Sequence, residues 1–143
     1  MKFTKNKSNN LDVYLHLQRV KSEFNPPLEI TVDIYEYAKK INSKAQRIEV
    51  WNNDDLIGLI AFYINSTENL FFITNVSVEK KFQGKKIAQK LMIKVFEIAK
   101  EINHNKIILE VFNENKKAIE FYKKLNFEIK SNSNNYLKME YFI

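Results

Sequence analysis

The sequence predicts an α+β domain built on a mixed, mostly antiparallel sheet. Three observations carry that prediction. Apolar residues recur at helical spacing in the first third of the chain and again after position 86. The middle third changes to extended apolar runs separated by short polar turns. Between Leu70 and Phe112 a strand, a long helix and a second strand follow in order, an arrangement that requires a parallel pair joined by a right-handed crossover. The 143 residues match one domain, 1–143. A domain of about 150 residues buries roughly 68–70% of its unfolded surface, so a core forms without staples.

Taken in order, Leu11, Val13, Tyr14, Leu17 and Val20 form a helical stripe after the cap candidates Asn9 and Asn10. Pro26 and Pro27 end that helix, because proline lacks an amide donor and restricts its neighbour. Thr31 is then expected to cap a second helix bearing Ile34, Tyr35, Tyr37, Ala38 and Ile41. Arg47–Trp51, Leu56–Ile64 and Leu70–Val78 read as a three-strand meander turning at Asn52–Asp55 and Ser66–Asn69. A long helix follows, opened by Gly84, with Ala88, Leu91, Met92, Val95, Phe96, Ala99 and Ile102 on one face. Ile107–Phe112 is a strand, Asn115–Leu125 a short helix, and Phe127–Lys130 and Tyr136–Phe142 two closing strands. With only two glycines, turns fall to asparagine, aspartate and serine. No strand is evident within residues 1–10.

Composition removes several functions. The chain has no cysteine, which excludes disulfides, thiol nucleophiles and zinc–thiolate sites. His16 and His104 are too far apart in sequence for a helical metal pair, so no metal is expected. No apolar run reaches the ~18 residues of a membrane span, and the Lys- and Asn-rich start has no signal-peptide core. A cytoplasmic protein that binds no membrane is the expectation. Lys and Arg total 23 against 17 Asp and Glu, a net charge of +6 that favours polyanionic ligands. A nucleic-acid surface would need exposed aromatics among clustered cations. These aromatics mostly lie on apolar faces, so no nucleic acid is expected.

The chemistry concentrates in Asn75–Ala88, which joins a strand to the long helix. A helix start presents unpaired amides and a positive dipole end, and a glycine lets backbone approach an anion closely. Lys80, Lys81, Lys85 and Lys86 add charge there. Neither G-x-x-x-x-G-K-[ST] nor G-x-G-x-x-G occurs, which removes Walker-type and dinucleotide loops. What remains, Val78 followed five residues on by Gln83-x-x-Lys86-x-Ala88, resembles the acetyl-CoA loop [Q/R]-x-x-G-x-[G/A] of the GNAT superfamily of N-acetyltransferases. Lys86 replaces its middle glycine. Leu109-Glu110-Val111, Asn115, Ala118, Tyr122 and Asn126-Phe127 resemble that superfamily's L-E-V-x-x-x-N-x-x-A-x-x-x-Y-x-x-x-G-F block, with Asn126 in place of glycine.

The resemblance implies a layered α/β/α fold whose central parallel strands splay apart, and a first strand near the N-terminus. It implies direct transfer of an acetyl group from acetyl-CoA to a primary amine of a small molecule, amino sugar or peptide. The alternative is a non-catalytic acyl-CoA-binding or regulatory module. The backbone of Val76, Ser77 and Val78 would pair with the pantetheine arm. Gln83, Gly84, Lys85, Lys86, Ile87, Ala88 and Gln89 would surround the diphosphate, and Asn115 would touch the cofactor. A backbone amide near Val78 would stabilise the oxyanion, a contribution of ~3–4 kcal/mol. Tyr122 would protonate the departing thiolate. Some members of the superfamily use the glutamate of the L-E-V block as general base, so the resemblance makes Glu110 the candidate, the alternative being a glutamate paired with a lysine on the hairpin side. Phe71–Thr74 carries no carboxylate where other members place their base. Tyr14, His16, Phe24 and Tyr136 are candidate walls of the acceptor pocket, and His16 is a further candidate base. His104 is expected to be structural. Many relatives pair, so a homodimer is a further expectation.

Overall fold

The apolar run Leu56–Phe62 explains the architecture, because its side chains alternate between two cores. Leu56, Leu59 and Ala61 enter one, and Ile57, Ile60 and Phe62 the other. A strand apolar on both faces must be covered on both faces. The computed structural model describes residues 1–143 and consists of β1 (Lys2–Lys5), α1 (Asn10–Val20), α2 (Leu28–Thr31), α3 (Ile34–Lys44), β2 (Gln46–Asn52), β3 (Asp55–Asn65), β4 (Leu70–Val78), α4 (Ile87–Glu101), β5 (Lys106–Phe112), α5 (Lys116–Lys124), β6 (Glu128–Ser133) and β7 (Tyr136–Phe142). The seven strands form one sheet in the order β1-β2-β3-β4-β5-β7-β6. All pairings are antiparallel except β4 with β5. Helices α1 and α3 cover one face through Val13, Leu17, Ala38 and Ile41. Helix α4 covers the other through Leu91, Met92, Val95 and Ala99, with Phe62 and Phe71 stacked at 5.0 Å beneath it. This is the layered α+β arrangement expected.

Local chemistry sets the element ends. Asn9 caps α1 in a reciprocal box with Asp12. Eight non-glycine residues adopt positive φ, and seven of them are asparagines, including Asn126. Asparagine tolerates that region better than most residues, and here it does the work glycine usually does.

Four expectations are corrected. A first strand does exist, at Lys2–Lys5, and pairs with β2. Its anchor is the buried Glu49 carboxylate, which accepts from Thr4 Oγ1 at 2.6 Å, from the amides of Lys7 at 2.9 Å and Ser8 at 2.7 Å, and from the Ser8 hydroxyl. Burial opposes the ionisation of Glu49, but these donors outweigh it and hold its pKa below the usual carboxylate value. Trp51 Nε1 also donates to Thr4 Oγ1 at 2.6 Å. Such bonds span more than 40 residues and leave no periodicity in the strand itself. Second, Asp33 and not Thr31 caps α3, accepting from the Glu36 amide at 2.9 Å, while Thr31 ends the separate short α2. Third, α4 begins at Ile87, and Gly84 lies before it in a loop at φ +86°. Fourth, the closing hairpin begins at Glu128, and all six residues of β6 are exposed.

Two features open the sheet. The β4–β5 pairing stops at Ile73 with Leu109, although β5 stays paired to β7 as far as Phe112 with Tyr136. On its other side β4 carries a bulge: Ala61 faces Asn75 and Phe62 faces Ile73, so Thr74 is the extra residue. A bulge bends its strand and increases its twist. The Tyr37 hydroxyl donates to the Thr74 carbonyl at 2.7 Å, which ties the bulge to α3. Beyond Ile73 the two parallel strands therefore diverge.

Candidate active site

The divergence of β4 and β5 opens a cleft of about 900 Å³ between the start of α4, helix α5 and the α1–α3 connection. At one end lies the mouth of α4. Lys86 occupies the N-cap in the left-handed conformation, φ 59° and ψ 26°, and no side chain caps the helix. An N-cap residue normally lies in the β region and closes the first turn with its side chain. Here the amides from Gly84 through Gln89 meet no protein acceptor. Helices α1, α3 and α5 are all capped by side chains. The mouth is held on the sheet by Gly58, where a Cβ would come within 3.3 Å of Ile87 Cγ2. Gln83 folds back onto the strand end, its Nε2 donating to the Val78 carbonyl and to Glu23 Oε1, both at 3.1 Å.

Of the residues singled out in the sequence, Val76, Ser77, Val78, Gln83, Gly84, Lys86, Ile87, Ala88, Gln89, Glu110, Asn115 and Tyr122 all line this cleft. Lys85 does not. Its ammonium lies 5.8 Å from the Phe82 ring centre, outside the lining. Asn115 is partly committed, since its Oδ1 caps α5 by accepting from the Ala118 amide at 3.2 Å. Glu110 is exposed and makes no ion pair; Lys138, opposite it across the strands, lies instead 4.0 Å from Glu140. Tyr122 is packed edge-on between Phe121 and Phe127, at centroid distances of 5.3 and 5.7 Å. Burial raises its phenol pKa well above the usual value, so it stays protonated throughout the physiological range.

The acceptor-side expectations divide. Phe24 and Tyr136 line the cleft, whereas Tyr14 and His16 do not. Tyr14 packs edge-on against Tyr35 of α3 at 5.8 Å, at the margin of the α1–α3 core. His16 is fully buried behind β4, with Nδ1 2.9 Å from the Leu56 carbonyl and Nε2 2.8 Å from Ser77 Oγ. Burial, reinforced by Arg19, lowers its pKa to about 4 despite the bond to Leu56. An unfolded histidine titrates near 6.5, so His16 contributes stability that is complete above that pH and is lost as pH falls toward 4. Stability is expected to drop by about 2 kcal/mol between pH 7 and pH 5, and urea midpoints for a His16→Gln variant should show most of that dependence gone. His104 is buried at the far end of the sheet beside Phe71.

Sequence reasoning gave no site role to Tyr37, Thr74 or Asn75, which line the cleft at the bulge. The available signal was Thr74-Asn75 interrupting the apolar strand Leu70–Val78. No set of three or more His, Asp or Glu side chains gathers to hold a metal ion. No helix is long and apolar enough to cross a membrane.

The model of the acetyltransferase (GNAT) family matches residues 13–127, and the chain belongs to that family. Among solved structures it is similar to the PaiA N-acetyltransferase of Thermoplasma acidophilum, determined in complex with coenzyme A, at 16% identity over all of both chains and a TM-score of 0.78. It is also similar to an aminoglycoside 6'-acetyltransferase type Ii, at 15% identity over 99% of this chain and 97% of that one, with a TM-score of 0.80. The ribosomal-protein-S18-alanine N-acetyltransferase of Escherichia coli superposes with a TM-score of 0.77 at 15% identity, over 99% and 94% of the two chains. No curated protein sequence matches the chain. These structural likenesses establish a shared fold among proteins whose named acceptors differ widely.

Proposed function

We propose that the protein transfers the acetyl group of acetyl-CoA to a primary amine by direct attack. One observation carries the reading. A run of unpartnered amides, an open strand edge and a protonated phenol all face the same opening in the sheet. Acetyl-CoA supplies an activated thioester, and each of these features fits one part of it. The amides of Gly84–Gln89 at the positive end of α4 suit a diphosphate. The unpaired edge of Val76–Val78 offers backbone groups to an amide-bearing pantetheine chain. Tyr122 can donate a proton to a leaving thiolate, and the apolar surroundings that raise its own pKa raise the proton affinity of a thiolate there as well. Glu110, unpaired on the opposite strand and lining the cleft, is the side chain we assign to take a proton from the amine.

Loss of the loop's middle glycine would favour a binding module without turnover. That reading is weaker, because Lys86 adopts the left-handed conformation a glycine would take, and the loop keeps its frame. Saturating acetyl-CoA, at about 100 times its Kd, should stabilise the fold by roughly 2.7 kcal/mol in a thermal-shift assay. Thiol release over a panel of amines then reports transfer. A shift without release from any amine would favour the module; no shift at all would remove both readings. A cytoplasmic location and pairing into a homodimer are compatible with this role, and gel filtration checks the second.

A further inference from the structure

The buried side chains behind β4 contain more hydrogen-bond acceptors than protons to share among them. His16 Nδ1 faces the Leu56 carbonyl at 2.9 Å, and a carbonyl only accepts, so Nδ1 carries the imidazole proton. The ring is neutral at pH 7, which leaves Nε2 bare. Ser77 Oγ lies 2.8 Å from Nε2 and gives it the hydroxyl's single proton. The same oxygen lies 2.8 Å from the Asn75 side-chain amide and can there only accept. With the amide oxygen toward Ser77, two oxygens would touch with no proton between them. Asn75 therefore turns its nitrogen to Ser77 and its carbonyl oxygen away.

The outward position of that amide is buried and meets no partner in the protein, on a residue only 3% exposed. It stands beside the Tyr37 hydroxyl, whose own proton goes to the Thr74 carbonyl at 2.7 Å and which therefore accepts from Thr74 Oγ1 at 3.0 Å. Asn75, Tyr37 and Thr74 all line the cleft. Asn75 Oδ1, with its lone pairs free, and Tyr37 Oη, with the one that Thr74 leaves, thus share one spot. An unpaired buried acceptor costs stability, typically ~1–3 kcal/mol, unless a ligand completes it.

We infer that Asn75 Oδ1 and Tyr37 Oη form a station that accepts N–H bonds from the acceptor amine, with Ser77 and His16 holding the Asn75 amide in orientation. The inference rests on the acetyltransferase reading and extends it to the acceptor side. A carbonyl or an anion would be repelled at this spot, whereas an amine brings the missing protons. The amides of the pantetheine arm carry the same N–H chemistry, so the two sources are separated by which substrate responds.

The test is steady-state kinetics of Asn75→Leu with acetyl-CoA and, as probe acceptors, phenethylamine, spermidine, glucosamine 6-phosphate, kanamycin and an alanine-initiated peptide. With whichever amine the wild type uses best, kcat/KM for the amine should fall at least tenfold. The acetyl-CoA KM should stay within twofold, and the melting temperature should be no lower than that of the wild type. Ser77→Ala, which leaves the Asn75 oxygen but frees it to turn, should raise the amine KM at least threefold, and it carries the test if Asn75→Leu does not fold. A lower melting temperature with unchanged amine kinetics would make Asn75 structural and overturn the station. A rise in the acetyl-CoA KM alone would assign the oxygens to the cofactor and overturn it too. Wild-type silence toward every probe, with the acetyl-CoA shift intact, would instead overturn the transfer reading and the station with it.

Discussion

Replacing Tyr122 with phenylalanine is expected to lower turnover at least tenfold while leaving acetyl-CoA affinity within a factor of two. The substitution removes one oxygen and nothing else. The edge-on contacts to Phe121 and Phe127 belong to the ring, so the packing survives. Burial is the cause of the raised phenol pKa, and no hydrogen bond contributes to it. Folding stability should therefore hold or rise slightly. What the variant lacks is a proton beside the thiolate, and a positioned general acid typically contributes 10²–10⁴ in rate. Single-turnover rates with acetyl-CoA and an active amine measure the effect directly. Unchanged turnover would remove Tyr122 from the chemistry and leave it a core aromatic at the cleft wall.

Lys86 should respond in two directions. Its left-handed backbone conformation is strained for a side chain that cannot bond back to its own turn as asparagine does. Lys86→Gly is thus expected to stabilise the fold by about 1 kcal/mol, read from the urea midpoint. Lys86→Glu carries the same backbone strain but reverses the charge at a helix mouth whose amides are free. Reversing one of two unit charges about 6 Å apart changes their interaction by roughly 1.4 kcal/mol in bulk water and by roughly 5–6 kcal/mol at the effective dielectric near a protein surface, so acetyl-CoA should bind at least tenfold more weakly. Raising the salt concentration should narrow the gap. If the glutamate variant binds acetyl-CoA as the wild type does, the diphosphate does not lie at the α4 mouth.

Strain and the proposed diphosphate site coincide at that residue. Seven of the eight non-glycine residues at positive φ are asparagines, and the eighth is a lysine lining the cleft. Residues held in sparsely populated backbone regions concentrate where a site needs them. The Lys86 ammonium makes no ion pair within the chain and remains available to an anion.

The layered α+β architecture was legible because its signals are local. The two-sided apolar run of β3, the stripe of α4 and the asparagine turns each follow from residues within a few positions of one another, and the parallel β4–β5 pair follows from their order. Of the residues the sequence singled out for the cofactor and the chemistry, all but Lys85 line the cleft, since a short loop and a short helix bring them together. The first strand was not, because the Glu49 bonds that hold it cross more than 40 residues. Neither was the start of α4, where Ile87 packs close against Gly58 of β3. The proton accounting among His16, Ser77, Asn75 and Tyr37 lay further out of reach, since those groups come from α1, β4 and α3 and meet only when the sheet and both helices pack. Periodicity and turn chemistry act along the chain and determine which elements form. Where a strand splays, which lysine leaves the lining and which buried oxygen lacks a proton depend on contacts between distant segments, and those exist only in the folded molecule.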